Sequence, residues 1–167
     1  TCGQVDPDQM NQQTSLRGGA TVGTLSELAP IETAAVRHLR QWFASPETRL
    51  EMRDDVNNLL GPELSEVALE TFGQLCMLCV QHGRRPLIRH GIKCACLGAD
   101  ENCFANMIAA AADGQVDDTM LFASLIVRPA VARQLLPLAS EFGYLLRQMT
   151  SATPPPPARQ SISTTLH

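Results

Sequence analysis

Between residues 30 and 150 the apolar positions recur mostly at intervals of three and four, the spacing that stacks side chains on one face of an α-helix. Pro30, with Glu32 two residues on, opens a first helix in which Ile31, Ala35, Leu39 and Trp42 share a stripe. Ser45-Pro46-Glu47 supplies a hydroxyl at the cap, a proline at the first helical position and an acid near the positive end of the dipole. A second helix is expected from there to Leu60. Gly61-Pro62 stops it and starts a third, lined by Leu64, Ala68, Phe72, Leu75 and Cys79 and running to Gly83. Asp100 and Glu101 mark the start of a fourth helix, which continues through Ala112 to Gly114. Asp117-Asp118 opens a fifth, carrying Met120, Leu121, Ser124, Leu125 and Val127 and ending before Pro129. The last helix has the most regular pattern: Val131, Leu135, Leu138, Phe142, Leu145 and Met149. Pro137 within it removes a backbone donor and crowds the preceding turn, which predicts a kink or a break.

The segment Arg84 to Gly98 interrupts this pattern. It contains Pro86, Gly91 and Gly98 and has only Leu87, Ile88 and Ile92 as strong apolar anchors, so it reads as a long loop with room for one short extended piece. Long ordered loops inside compact domains often carry function. The expected fold is all-α: a single compact domain of about six helices, with bundle-like or orthogonal packing and one long Arg/Cys-rich loop.

The two ends differ from the centre. Residues 1–24 are rich in Gln, Gly, Asp and Thr and read as a disordered or loosely attached tail. The helical domain is expected over 25–151. Residues 152–167 contain Pro154 to Pro157 and read as a flexible Pro-rich tail, or as a ligand for a proline-reading domain.

Composition narrows the function classes. Aromatic residues make up only 4% of the 167-residue chain, so strand formers are scarce and helix is favoured. A net charge of −4 gives no global attraction to nucleic acid, which is not an expected partner. No apolar run approaches the roughly 20 residues that a membrane span needs. Six cysteines in a chain of this length, two pairs of them closely spaced, fit reduced thiols in the cytoplasm better than a secreted disulfide scaffold. Thr1 in place of an initiator Met leaves room for a removed targeting segment.

The chemistry concentrates between Cys76 and Cys103, which hold five of the six cysteines and two of the four histidines. His90, Cys94, Cys96 and Cys103 are the right donor types for a structural zinc, with Cys103 near the start of the fourth helix, where the dipole favours thiolate. The alternative is a set of small buried thiols. Cys76 and Cys79 share a helix face and continue the apolar stripe, which makes them core thiols, with a redox-active pair as the other possibility. Arg84, Arg85 and Arg89 could fork onto a phosphate, a carboxylate or an acidic partner surface. The favoured alternative is that they tether the loop to the acidic starts of neighbouring helices, with Asp100, Glu101, Asp113, Asp117 and Asp118 close by in sequence. His38, beside Trp42, reads as a structural histidine.

No glycine-rich phosphate loop, HExxH helix or serine elbow is present. The expected function is therefore a small helical interaction or regulatory domain that engages an unknown protein partner or an anionic group through loop 82–98. It could dimerise through the last helix. The alternative is a thiol-based redox or metal-dependent enzyme centred on Cys94, Cys96 and His90.

Overall fold

A computed structural model describes residues 17–152 and contains six α-helices and a two-stranded sheet. The helices are α1 (Pro30–Ala44), α2 (Pro46–Leu60), α3 (Pro62–His82), α4 (Ala99–Ala112), α5 (Val116–Ile126) and α6 (Pro129–Ala152). The all-α class and the helix order agree with the sequence pattern, and the helix starts sit where local chemistry puts them. Ser45 Oγ accepts from the Thr48 amide at 3.1 Å, Pro46 and Pro62 open their helices, and Gly61 takes the positive φ of 80° at the corner between α2 and α3.

The core is built around α4 and α6. α4 packs against α1, α5 and α6, and α6 also touches α1, α2, α3 and α5. Phe72 of α3, Phe104 of α4 and Phe142 of α6 meet at the centre, with ring centroids 6.1 Å apart for Phe72 and Phe104 and 4.6 Å apart for Phe72 and Phe142. Trp42 stands edge-on to Phe72 at 5.5 Å. Gly143 lets α6 approach α4 closely, because a Cβ there would lie 2.8 Å from the Ile108 carbonyl oxygen.

Several sequence expectations change. The stripe on α6 packs within the monomer: Val131, Leu135, Phe142, Leu145 and Met149 are buried and Leu138 packs against them. α6 runs through Pro137 without a break. Pro137 and Arg133 are exposed, so the carbonyl that loses its backbone donor can turn to water. In α3, Ser65 rather than Leu64 faces inward, and Leu64 is exposed. In α5, Leu121 and Leu125 point outward, while Thr119, Ala123 and Ile126 are buried.

The N-terminal tail expected over 1–24 is also shorter than composition implied. Residues 17–19 form a 3-10 turn, and β1 (Thr21–Thr24) pairs antiparallel with β2 (Cys96–Gly98), matching Thr21 to Gly98, Gly23 to Leu97 and Thr24 to Cys96. β2 is the extended piece for which the long loop left room. The rest of that tail, with Cys2, and the Pro-rich end from Thr153 onward lie outside the described residues.

Candidate functional site

The loop between α3 and β2 is fixed from both ends. At its start, Gly83 forms a bridge with Val127, flanked by bonds from the Arg84 amide to the Ile126 carbonyl and from the Arg128 amide to the His82 carbonyl. At its end, β2 leads directly into α4, whose first turn holds Asp100 and Glu101, both buried.

One side chain from a distant helix organises the segment. Arg40 of α1 is buried beside Glu101, with Nε 2.7 Å from Oε1 and Nη2 2.9 Å from Oε2. Its other donors reach the carbonyl oxygens of Gly91 at 3.1 Å, Cys94 at 2.6 Å and Cys96 at 2.7 Å. Glu101 in turn accepts from the amides of His90 and Gly98, each at 2.9 Å. The ion pair thus bonds five backbone groups of the segment, of which the Gly91 carbonyl also accepts from the Cys94 amide at 3.0 Å. Burial raises the Glu101 pKa, but the bond from Arg40, the Gly98 amide, the charge of Arg40 and the His90 amide outweigh it and hold the carboxyl below its ordinary value. Sequence reasoning missed Arg40: it sits on the apolar stripe side of α1, one position after Leu39, and nothing local names its partner.

The three loop arginines all have intramolecular partners. Arg85 forks onto Asp100, with Nη1 to Oδ2 at 2.9 Å and Nη2 to Oδ1 at 2.7 Å, and Asp100 Oδ2 also accepts from the Ile88 amide. Gly18 lies directly against this pair, with no room for a Cβ. Arg84 Nε donates to the carbonyl oxygen of Ser124 at 2.6 Å, at the C-terminal end of α5 where a cation is favoured. Arg89 stacks over Phe43, 4.1 Å from the ring centroid, and donates to the Leu87 carbonyl. All three therefore make contacts that tether the loop, and only Arg85 uses an acidic helix start to do so.

His90, Cys94 and Cys96 come together and Cys103 stands apart from them. His90 Nε2 is 3.1 Å from the Gly19 carbonyl oxygen, which can only accept, so Nε2 carries the hydrogen. Nδ1 is then the lone-pair acceptor, and it lies 3.9 Å from Cys94 Sγ. Gly98 makes space for the ring, since a Cβ there would fall 2.8 Å from His90 Cδ2. Cys94 is buried, while Cys96 is partly open to solvent. The Cys96 thiol is pushed up, first by its hydrogen bond to Cys94 and then by the charge of Cys94. Cys103 is half-buried on α4; burial, and then the charge of Asp100, push its thiol up. Among the described residues, no three His, Cys, Asp or Glu side chains are grouped so that they could hold a metal ion. His90, Cys94, Cys96 and Cys103 therefore do not converge on a preformed four-donor centre.

Cys76 and Cys79 are core thiols. Both are buried in the main cluster, and burial raises the first well above the ordinary thiol range and the second to about 12. His38 is held edge-on to Phe72 and Phe142, with both ring centroids at 6.4 Å, and its Nδ1 is 3.2 Å from Gln41 Oε1. Burial lowers its pKa to about 4.

Comparison with known proteins adds no relative: no family model, no curated protein and no solved structure matches the chain. Among the described residues, no helix is long and apolar enough to cross a membrane.

Proposed function

We propose that the chain is a helical interaction domain that presents the ordered loop 82–98 to an acidic protein partner. The observation that carries this reading is Arg40, a buried cation whose donors end on three carbonyls of that loop. Burying an ion pair adds little net stability compared with an apolar core, so its effect here is to impose one conformation on a segment without regular structure. A loop ordered in advance loses less entropy when it binds.

What the loop offers outward is Arg84, Arg85, Gly91, Ile92 and Lys93, all exposed, with Ile92 an apolar residue at 41% exposure. Arg85 is neutralised by Asp100, whereas the groups around Arg84 are carbonyls that leave its charge intact. An apolar anchor beside unneutralised cations suits a partner carrying a small hydrophobic recess with an acidic rim. The groove between α2 and α3, lined by Trp42, Arg49, Arg53, Asp54, Glu66 and Glu70 among others, contains no residue of this loop.

A photo-crosslinking residue in place of Ile92 tests the reading in cells that make the protein. A discrete crosslinked partner is expected, lost when Lys93 is changed to Glu and weakened at raised salt, with the melting temperature unchanged. Crosslinking that ignores the Lys93→Glu change, or none above background, would overturn it.

A further inference from the structure

We infer that Cys96, Cys94 and His90 form a thiol-exchange site that reacts with low-molecular-weight disulfides and closes a Cys94–Cys96 disulfide. This inference stands apart from partner binding, because it concerns the inner side of the loop and needs no second protein.

Three observations carry it. The first is the tautomer: with Nε2 committed to the Gly19 carbonyl, His90 presents a basic Nδ1 to the Cys94 thiol at 3.9 Å. The second is the closeness of the two thiols, near enough that Cys94 is the main influence on the Cys96 proton. The third is the difference in access. Cys96 is partly open and can meet a dissolved disulfide, while Cys94 is buried behind it and is placed to resolve what forms there. The other described cysteines lack this combination: Cys76 and Cys79 are deep in the core, and Cys103 has neither a histidine nor a thiol neighbour among its interactions.

The chemistry closes without any further reagent. His90 Nδ1 takes the Cys94 proton, and Cys94 accepts the Cys96 proton through their hydrogen bond, leaving the thiolate on Cys96. That thiolate attacks one sulfur of the disulfide R–S–S–R. The Cys96–S–R bond forms, the R–S–S–R bond breaks, and the leaving thiolate takes the proton held by His90. Cys94 then loses its own proton to His90 and attacks Cys96 Sγ. The Cys94–Cys96 bond forms, and the second R–S⁻ leaves with that proton. Two protein thiols are oxidised, one small disulfide is reduced, and two R–SH are released.

The loop frame suits the reaction. Arg40 holds the carbonyls of both cysteines with its two terminal nitrogens, which keeps the residues in register for ring closure across one intervening residue. Its positive charge offsets part of the upward push that Cys94 exerts on the Cys96 thiol.

The test uses the full, reduced protein in a glutathione redox buffer at neutral pH, quenched by acid and alkylation and mapped by peptide mass spectrometry. The expected product is a peptide containing a Cys94–Cys96 bond, with Cys76 and Cys79 still alkylated as free thiols. Cys94→Ser should stop at a glutathione adduct on Cys96, since the resolving thiol is gone. His90→Gln, its fold verified by circular dichroism, should slow formation of the bond by about a hundredfold, the lower end of the usual range for a positioned base. Overturning results are a wild-type protein in which Cys94 and Cys96 stay free or carry separate glutathiones, or a His90→Gln rate equal to wild type. Preferential first reaction at Cys103 would overturn it as well.

Discussion

Single residues are held charged or neutral here for different ends, and Arg40 and His38 show the contrast. Arg40 and Glu101 are buried together, and between them they satisfy the amides of His90 and Gly98 and the carbonyls of Gly91, Cys94 and Cys96. Arg40→Met strands the Glu101 charge and the three carbonyls and should cost about 3–5 kcal/mol, read as a lower urea midpoint at unchanged slope. Replacing both partners by apolar residues is often harmless for a simple buried pair. It should not rescue this one, because the five backbone groups would lose the pair's bonds and only the Gly91 carbonyl has the Cys94 amide to fall back on; a double variant, Arg40→Met with Glu101→Leu, of near wild-type stability would disprove the backbone-satisfying role. His38 works by staying neutral. Its ring takes up a proton at about pH 4 in the folded state and near 6.5 when unfolded. Its contribution is therefore complete above pH 6.5 and is lost as the pH falls towards 4, up to about 3 kcal/mol in all. Glu101 acts in a lower window: its folded pKa is depressed, so its contribution is present above about 4.5 and is lost below that. His38→Gln should flatten the stability profile between pH 6.5 and 4.5 and leave the loss below it intact, as followed by thermal melts across that range. From sequence alone His38 was legible as structural through its neighbour Trp42, whereas Arg40 was hidden, because its four partner residues lie 51 to 61 positions away.

At the scale of elements, helices were legible wherever local chemistry marked their ends, and faces were legible only where large side chains dominated. α6 was read correctly along its whole buried stripe for that reason. α5 was misread because the helix turns its small residues inward: Thr119 and Ala123 are fully buried, while Leu121 and Leu125 are 58% and 54% exposed. The cause lies in the neighbour. α4, which packs closely on α5, buries Ala105, Ala110 and Ala111 among its residues, and small side chains allow two helices to approach closely. Hydrophobicity periodicity weighs leucine above alanine and so points to the wrong face. This inverted face makes a direct prediction. Leu125→Gln should change stability by no more than about 0.5 kcal/mol, whereas Ala123→Leu overpacks the α5 interface and should cost about 1–3 kcal/mol. Chemical denaturation of the two variants compares them, and the reverse order would show that the leucines are the buried set.

For the molecule as a whole, the helical domain was legible and its N-terminal boundary was not. A Gln- and Gly-rich segment has too little apolar surface to order itself, so composition placed everything before residue 25 outside the fold. What orders residues 18–24 is instead a set of polar contacts with the loop and the strand that follows it. β1 pairs with β2, the Ala99 amide donates to the Ala20 carbonyl, Gly19 fixes the His90 tautomer, and Gly18 covers the Arg85–Asp100 pair. The candidate site therefore has a wall that the sequence pattern does not announce, because backbone carbonyls carry no residue signature. A chain shortened to begin at Leu25 should still fold, since the aromatic core and all six helices remain. It loses three or four hydrogen bonds at about 1 kcal/mol each, so it should melt about 5–10 °C lower than a chain beginning at Arg17. The shortening should also release Nε2 of His90 and with it the fixed orientation of Nδ1 towards Cys94. Formation of the Cys94–Cys96 bond should then slow, even at temperatures where the shortened chain is fully folded, and the amides of Cys96 to Gly98 should exchange hydrogen faster. An equal melting temperature and an equal thiol-exchange rate in the two chains would mean that the segment merely lies against the site and does not build it.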